Sequence, residues 1–65
     1  MSAAHLHDLA GRVVPVYPDH VEEVRPADHS LWPESANAVI VLESGQQHAV
    51  KETVEEAERL LEAAK

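Results

Sequence analysis

The clearest pattern of apolar positions lies in the last third of the chain. Val39-Ile40-Val41-Leu42 is a continuous apolar run rich in β-branched residues, which is typical of a strand buried on both faces. We predict that this run is the central strand of a sheet, or that one of its faces lies in an oligomer interface. Gly45 follows where a turn needs positive φ, and His48 to Val50 then predicts the returning partner strand.

A helix is predicted after this second strand. Thr53-Val54-Glu55-Glu56 has the spacing of a capping box, in which a Thr and a Glu three residues later satisfy each other's backbone N–H groups. The apolar residues that follow recur at intervals of three and four, as on one face of a helix. We expect this stripe to pack on the sheet, on a second copy or on another protein, and it comprises Val54, Ala57, Leu60, Leu61 and Ala64.

The first part of the chain predicts a hairpin. Residues 4–9 fit a first strand, Gly11 lies where the turn would fall, and Val14 and Val16 alternate at the period of a second strand. Pro15 lacks the N–H that an interior ladder requires, so the second strand should be an edge or be paired on one side only.

The segment after the hairpin is ambiguous from its pattern alone. Pro18-Asp19 marks a turn. Val21 and Val24 are three residues apart, which fits either one helical turn or a strand with a bulge. Residues 25–37 then lose all periodicity and contain several Pro, Ser, Asp and Asn residues, which predicts a long loop.

The strand, turn and capped helix of residues 38–57, together with Gly11 and Tyr17-Pro18-Asp19-His20-Val21-Glu22-Glu23-Val24, resemble the FlbD family. These are very small bacterial flagellar and swarming-motility proteins with relatives among short phage gene products. The resemblance covers about residues 4–61 and implies a strand for Val21 to Val24. Tyr17 departs from the family pattern, in which a polar residue, often Asn, precedes Pro-Asp.

The resemblance also implies that residues 28–35 are an insertion, because relatives connect the corresponding strands with a much shorter turn. The inserted loop carries Leu31 and Trp32. Long loops in small domains are commonly functional, so these two residues are our partner-binding candidates. The alternative is that Trp32 folds back to cover the small core, since tryptophans are mostly well buried.

The length of 65 residues predicts a single domain, residues 1–65, with a core that supplies only about 3–5 kcal/mol. The chain has no cysteine, which rules out disulfides and thiolate chemistry. Self-association is the remaining usual source of stability, so we expect a homo-oligomer. The interface candidates are Val39, Val41, Leu60 and Leu61.

The formal charge of −7, from twelve acidic and five basic residues, argues against direct binding of nucleic acid. The basic residues are spread along the chain and form no cluster. The apolar runs are far shorter than the ~20 residues of a membrane span, and no signal peptide is evident. We expect a cytoplasmic protein of a bacterial or phage-infected cell.

Motifs for catalysis or metal binding are weak. His5 and His7 would share one face of the first strand, but Asp8 as a third ligand would point to the opposite face. No serine lies in a nucleophile elbow, and the two glycines stand alone rather than in a phosphate-binding loop. We therefore expect no enzyme activity, no cofactor and no metal.

Taken together, these patterns predict a β-rich α+β domain of about four antiparallel strands followed by one C-terminal amphipathic helix. The favoured function is a non-catalytic protein–protein interaction module, homo-oligomeric, in a flagellar-motility or phage accessory setting that the resemblance implies. The alternative is an acidic regulator that blocks a basic surface of its partner by mimicking nucleic-acid charge.

Overall fold

The computed structural model describes residues 2–65; Met1, which belongs to the predicted domain 1–65, lies outside the described residues. The elements are antiparallel strands followed by one C-terminal helix, as the sequence predicted. The strands number five, against the predicted total of about four. The elements are β1 (Ala4–His7), β2 (Val13–Val16), a 3-10 turn (Pro18–His20), β3 (Val21–Pro26), β4 (Ala38–Leu42), β5 (Gln47–Val50) and α1 (Val54–Ala63).

The strands form two sheets. β1 and β2 make an antiparallel hairpin, and β3, β4 and β5 make a second antiparallel sheet in that spatial order. β4 is therefore a central strand, which confirms the prediction from its continuous apolar run. Among residues 2–65, β2 pairs with β1 alone, so Pro15 stands on a strand that has one free edge.

The segment around Val21 is a strand, and the helical alternative is wrong. Val21 pairs with Leu42, whereas Glu23 pairs with Val41, so the register shifts between these two residues of β3. Between these two pairs β3 has one residue more than β4, which defines a β-bulge. The spacing of three between Val21 and Val24 therefore arises from the bulge, which turns both valines towards the core, where they are partly buried.

The core lies between the two sheets and α1. Its largest fully buried side chains are Leu6 of β1, Ile40 of β4 and Val50 of β5. In β1 the buried residues alternate with exposed ones, as in a half-buried strand, whereas β4 is buried at three consecutive positions. The whole buried cluster comprises Ala4, Leu6, Val16, Ala38, Ile40, Val50, Ala57, Leu61 and Ala64.

The capping box predicted at the start of α1 is present. The hydroxyl of Thr53 accepts a hydrogen bond from the Glu56 N–H at 3.1 Å, and the Glu56 carboxylate accepts one from the Thr53 N–H at 3.2 Å. Thr53 is the N-cap, so the first helical residue is Val54. Within residues 2–65, no helix has the length and apolar character that a membrane span requires.

Candidate interaction surfaces

The loop between β3 and β4 is ordered by Asp28. The backbone carbonyl of Asp28 accepts hydrogen bonds from the N–H groups of Leu31 at 2.9 Å and Trp32 at 2.8 Å. Its carboxylate accepts the Ser30 hydroxyl at 2.7 Å and the Ser30 N–H at 2.9 Å. These two bonds from Ser30 lower the pKa of the Asp28 carboxyl. The loop therefore holds Leu31 and Trp32 in a defined turn.

The other end of the loop is fastened to the sheet. The His29 ring nitrogen Nε2 donates to the Ala36 carbonyl at 2.9 Å, and Ala36 is fully buried. Asn37 donates its backbone N–H to the Val50 carbonyl at 3.0 Å and its side-chain amide to the Lys51 carbonyl at 2.6 Å. The two bonds of Asn37 fix this end of the loop against the end of β5.

The two partner-binding candidates lie side by side but differ in burial. Leu31 is 77% exposed, more than the other large apolar side chains that stand exposed, while Trp32 is partly buried. Trp32 and Val39 both line a small cleft of about 100 Å³ with Arg25 and Gln47. Trp32 lies outside the core cluster beneath α1, so it covers the opposite face of the three-stranded sheet. We call Leu31 and Trp32 the loop surface.

The four oligomer-interface candidates are placed differently from one another. Val39 and Leu61 are 3% and 6% exposed, and their burial comes from groups of the same chain. Val41 is partly buried on the sheet face that also carries Val39. Leu60 is 38% exposed at the margin of α1, where it lines a shallow depression with the residues that precede and begin β1. Val41 and Leu60 thus remain accessible to a second copy.

A third surface was not predicted from the sequence. An open groove of about 390 Å³ runs between β3 and α1. We call it the β3–α1 groove. Its apolar lining residues are Pro18, Val21, Val24 and Leu61, and its charged ones are Glu23, Glu58, Glu62 and Lys65. The sequence contained one indication of this groove: Glu58 and Glu62 are four residues apart, which places their carboxylates on one side of a helix.

The charges in the β3–α1 groove are only partly paired. Lys65 Nζ lies 3.1 Å from Glu62 Oε2, and Arg25 Nε lies 4.0 Å from Glu23 Oε1. Glu58 has no ion-pair partner within residues 2–65. All of these side chains are exposed, so the ion pairs add little to stability and leave the groove acidic.

The histidines do not converge on a metal site. His5 and His7 are both exposed and alternate with the buried residues of β1, which places them on one face. Residues 2–65 contain no group of three or more His, Asp or Glu side chains that could hold a metal ion. His7 instead donates from Nδ1 to Glu52 at 2.7 Å, and the His20 ring centre lies 5.9 Å from that of Tyr17.

Comparison of the chain with protein-family models, with curated proteins and with solved structures gave no match. The resemblance to the FlbD family therefore stays a prediction from the residues that carry it. Three surfaces of the described residues bear on function: the loop surface, the accessible interface candidates Val41 and Leu60, and the β3–α1 groove.

Proposed function

We propose that this chain is a non-catalytic protein–protein interaction module that binds its partner through the loop surface. The observation that carries the proposal is the exposure of Leu31, which is 77% exposed on a loop that is otherwise closed by hydrogen bonds. Most of this leucine side chain stays in contact with water in the fold of its own chain. Its burial against a partner would remove apolar area from water.

The geometry of the loop suits binding. Asp28 fixes the backbone of Leu31 and Trp32 before any partner arrives, and a surface that is already ordered loses less entropy on binding. Trp32 presents a partly buried aromatic ring beside Leu31. Tryptophan is among the residues that most often anchor interfaces, where truncation commonly costs about 2 kcal/mol or more.

Self-association is part of the proposal. A domain of 65 residues has a small core, and Leu60 and the partly buried Val41 offer apolar area outside it. Light scattering coupled to size exclusion at hundreds of micromolar tests this directly. We expect a mass that is a multiple of the 7.1 kDa of one chain. A clean monomer at these concentrations would remove self-association from the proposal.

The loop surface is tested by substitution with a matched control. Leu31→Ser and Trp32→Ala should weaken capture of the partner from bacterial or phage-infected cells. Val13→Ser changes a comparably exposed apolar residue, 56% exposed at the start of β2, and should leave capture unchanged. Equal effects of Leu31→Ser and Val13→Ser would show that exposed apolar area in general, rather than the loop surface, governs binding.

The setting we propose is flagellar motility or a phage accessory role in the bacterial cytoplasm. The resemblance of residues 38–57, Gly11 and Tyr17 to Val24 to the FlbD family supports it. Gene neighbourhood separates the two settings, since a flagellar operon and a phage gene cluster have different contents. A location in neither would count against both settings, though not against the interaction module itself.

A second candidate is an acidic regulator that covers a basic surface of its partner. The exposed carboxylates of β3 and α1 favour it, because Glu22, Glu23, Glu58 and Glu62 all face solvent. If this is the function, the chain should compete with DNA for a basic, DNA-binding partner, and the competition should weaken as salt rises. Simultaneous binding of DNA and this chain by the partner would exclude it.

A further inference from the structure

β3 lies at one end of the three-stranded sheet. Among residues 2–65 it pairs with β4 and with no other strand. The backbone N–H and C=O groups on its outer edge therefore have no ladder partner. Such edges accept an added strand, and proteins protect them with charged residues and bulges. The register shift after Val21 and the missing N–H of Pro26 limit the part of this edge that can pair with an added strand to Glu23, Val24 and Arg25.

The free edge of β3 lies beside α1, so an added segment would contact the helix as well as the strand. The β3–α1 groove has an apolar floor that includes Val24 of β3 and Leu61 of α1. Its volume of about 390 Å³ is at the lower end of the range for ligand pockets. The groove thus offers backbone pairing along one wall and apolar contact on its floor.

The charges that line the groove determine which kind of peptide segment it can bind. Three carboxylates line the groove, from Glu23, Glu58 and Glu62, against the single ammonium group of Lys65. Lys65 is paired with Glu62, which leaves Glu58 without a cation in the described part of the chain. A basic side chain that entered the groove would find a complementary carboxylate, whereas an acidic one would be repelled.

We propose that the β3–α1 groove binds an extended, basic peptide segment of a partner protein, which adds as a strand to the free edge of β3. Basic residues at alternate positions of the segment face α1. Their aliphatic stems cover the apolar floor, and their charged ends reach Glu58 and Glu62. The proposal goes beyond the interaction function above, because the groove shares no residue with the loop surface.

The spacing of side chains along an added strand is close to the spacing of Glu58 and Glu62 along α1. Residues i and i+2 of a strand lie on one face about 7 Å apart. Glu58 and Glu62 are one helical turn apart, about 6 Å along the axis of α1. Two lysines at alternate positions therefore have nearly the same spacing as the two carboxylates. A second copy of this chain is a poorer occupant of this groove, because its own β3 edge would place Glu22 and Glu23 against Glu58 and Glu62.

Binding is tested with a short synthetic peptide in which lysine and valine alternate. Its binding to the full chain is followed by fluorescence anisotropy, and the contact residues are mapped by amide chemical shifts. We expect shifts in residues 21–26 and 58–65, and binding that weakens as salt rises. A matched peptide of glutamate and valine should not bind.

Two kinds of change, in the charges of the groove and in the peptide backbone, distinguish the charge contacts from the strand pairing. Glu58→Gln and Glu62→Gln should each weaken binding about threefold, as for exposed charge pairs, while Glu55→Gln, also exposed on α1 but outside the groove, should not. Methylation of alternate backbone nitrogens of the peptide removes the donors needed for pairing with β3. It should weaken binding about tenfold or more. Since these variants change exposed residues only, far-UV circular dichroism should show the same fold.

Several outcomes would overturn the proposal. Equal affinity for the methylated and unmethylated peptides would exclude strand addition, and equal affinity of all three Gln variants would exclude the charged groove. Shifts confined to Leu31 and Trp32 would place the peptide on the loop surface. Shifts of residues 21–26 with protein concentration alone would show that a second copy occupies the edge.

Discussion

His7 and Glu52 form a paired contact between the first strand and the residue just ahead of the helix cap. The His7 ring donates from Nδ1 to Glu52 Oε2 at 2.7 Å, and the His7 backbone N–H donates to Oε1 of the same carboxylate at 2.9 Å. Beside them, the Lys51 N–H donates to the His7 carbonyl at 2.9 Å. Glu52 thereby fastens the β1–β2 hairpin to the segment between β5 and α1.

The first prediction concerns this contact. Glu52→Ala removes both acceptors and leaves the His7 N–H without its partner, so the free energy of unfolding should fall by about 1–2 kcal/mol. Urea denaturation measures the change. Glu43→Ala is the control, because the Glu43 side chain is exposed and forms no hydrogen bond or ion pair within residues 2–65; it should change stability by less than about 0.5 kcal/mol.

The same carboxylate predicts a pH dependence. Partial burial of Glu52 opposes its ionisation, but the hydrogen bonds from His7 outweigh this effect and hold the pKa of the carboxyl below its usual 4.5. The unfolded chain therefore takes up this proton at a higher pH than the folded chain does. The stabilisation is fully present above pH 4.5 and is lost as pH falls through the lower pKa of the folded state.

Comparison of the natural chain with Glu52→Gln isolates this effect, because all other titrating groups are common to both. The difference in unfolding free energy should shrink as pH falls below about 4.5 and through the lower pKa of the folded state. A difference that grew with acidity would show that another group controls the acid response of the hairpin.

The helix cap and the helix stripe should differ in strength. Thr53→Ala removes one side-chain cap and should cost about 1 kcal/mol. Leu61→Ala removes a core side chain that is 6% exposed and should cost about 2–5 kcal/mol. Denaturant melts rank the two variants. Small and equal losses would mean that α1 contributes little to the fold in solution.

Trp32→Ala should be milder than a core substitution. Trp32 is partly buried over Val39 and lies outside the core cluster, so we expect a loss of about 1–2 kcal/mol rather than the 3–5 of a buried tryptophan. Leu6→Ala, in the fully buried core, is the comparison and should cost more. Fluorescence adds an independent check, since a partly exposed indole should remain accessible to quenchers in the folded chain.

Sequence patterns predicted those elements of the fold that depend only on neighbouring residues. The Thr53–Glu56 box set the start of α1 to within one residue, and the run from Val39 to Leu42 identified the central strand, because both signals are contained in a few consecutive positions. The bulge in β3 was one of two alternatives that the pattern of Val21 and Val24 left open.

The relations that the pattern missed join residues far apart in the chain. His7 and Glu52 are 45 positions apart, so no local period connects them. Leu60 and Leu61 are neighbours that both fit the apolar stripe. Only the packing of α1 on the sheets turns Leu61 inwards and leaves Leu60 at the margin. The β3–α1 groove is likewise a product of packing and not of either segment alone.

The position of β1 also has a consequence for the order in which the chain folds. Residues 21–63 form the three-stranded sheet and α1 from consecutive elements, so their strand pairings join residues at most 21 positions apart. β1 instead meets the far end of the chain, where Ser2 donates to the Ala64 carbonyl at 3.4 Å. Closing so long a loop carries an entropic penalty that is recovered only once Ala4 and Leu6 are buried. We therefore expect the hairpin to dock last and to detach first, so that contacts of Leu6 govern the rate of unfolding, while those within the three-stranded sheet govern the rate of folding.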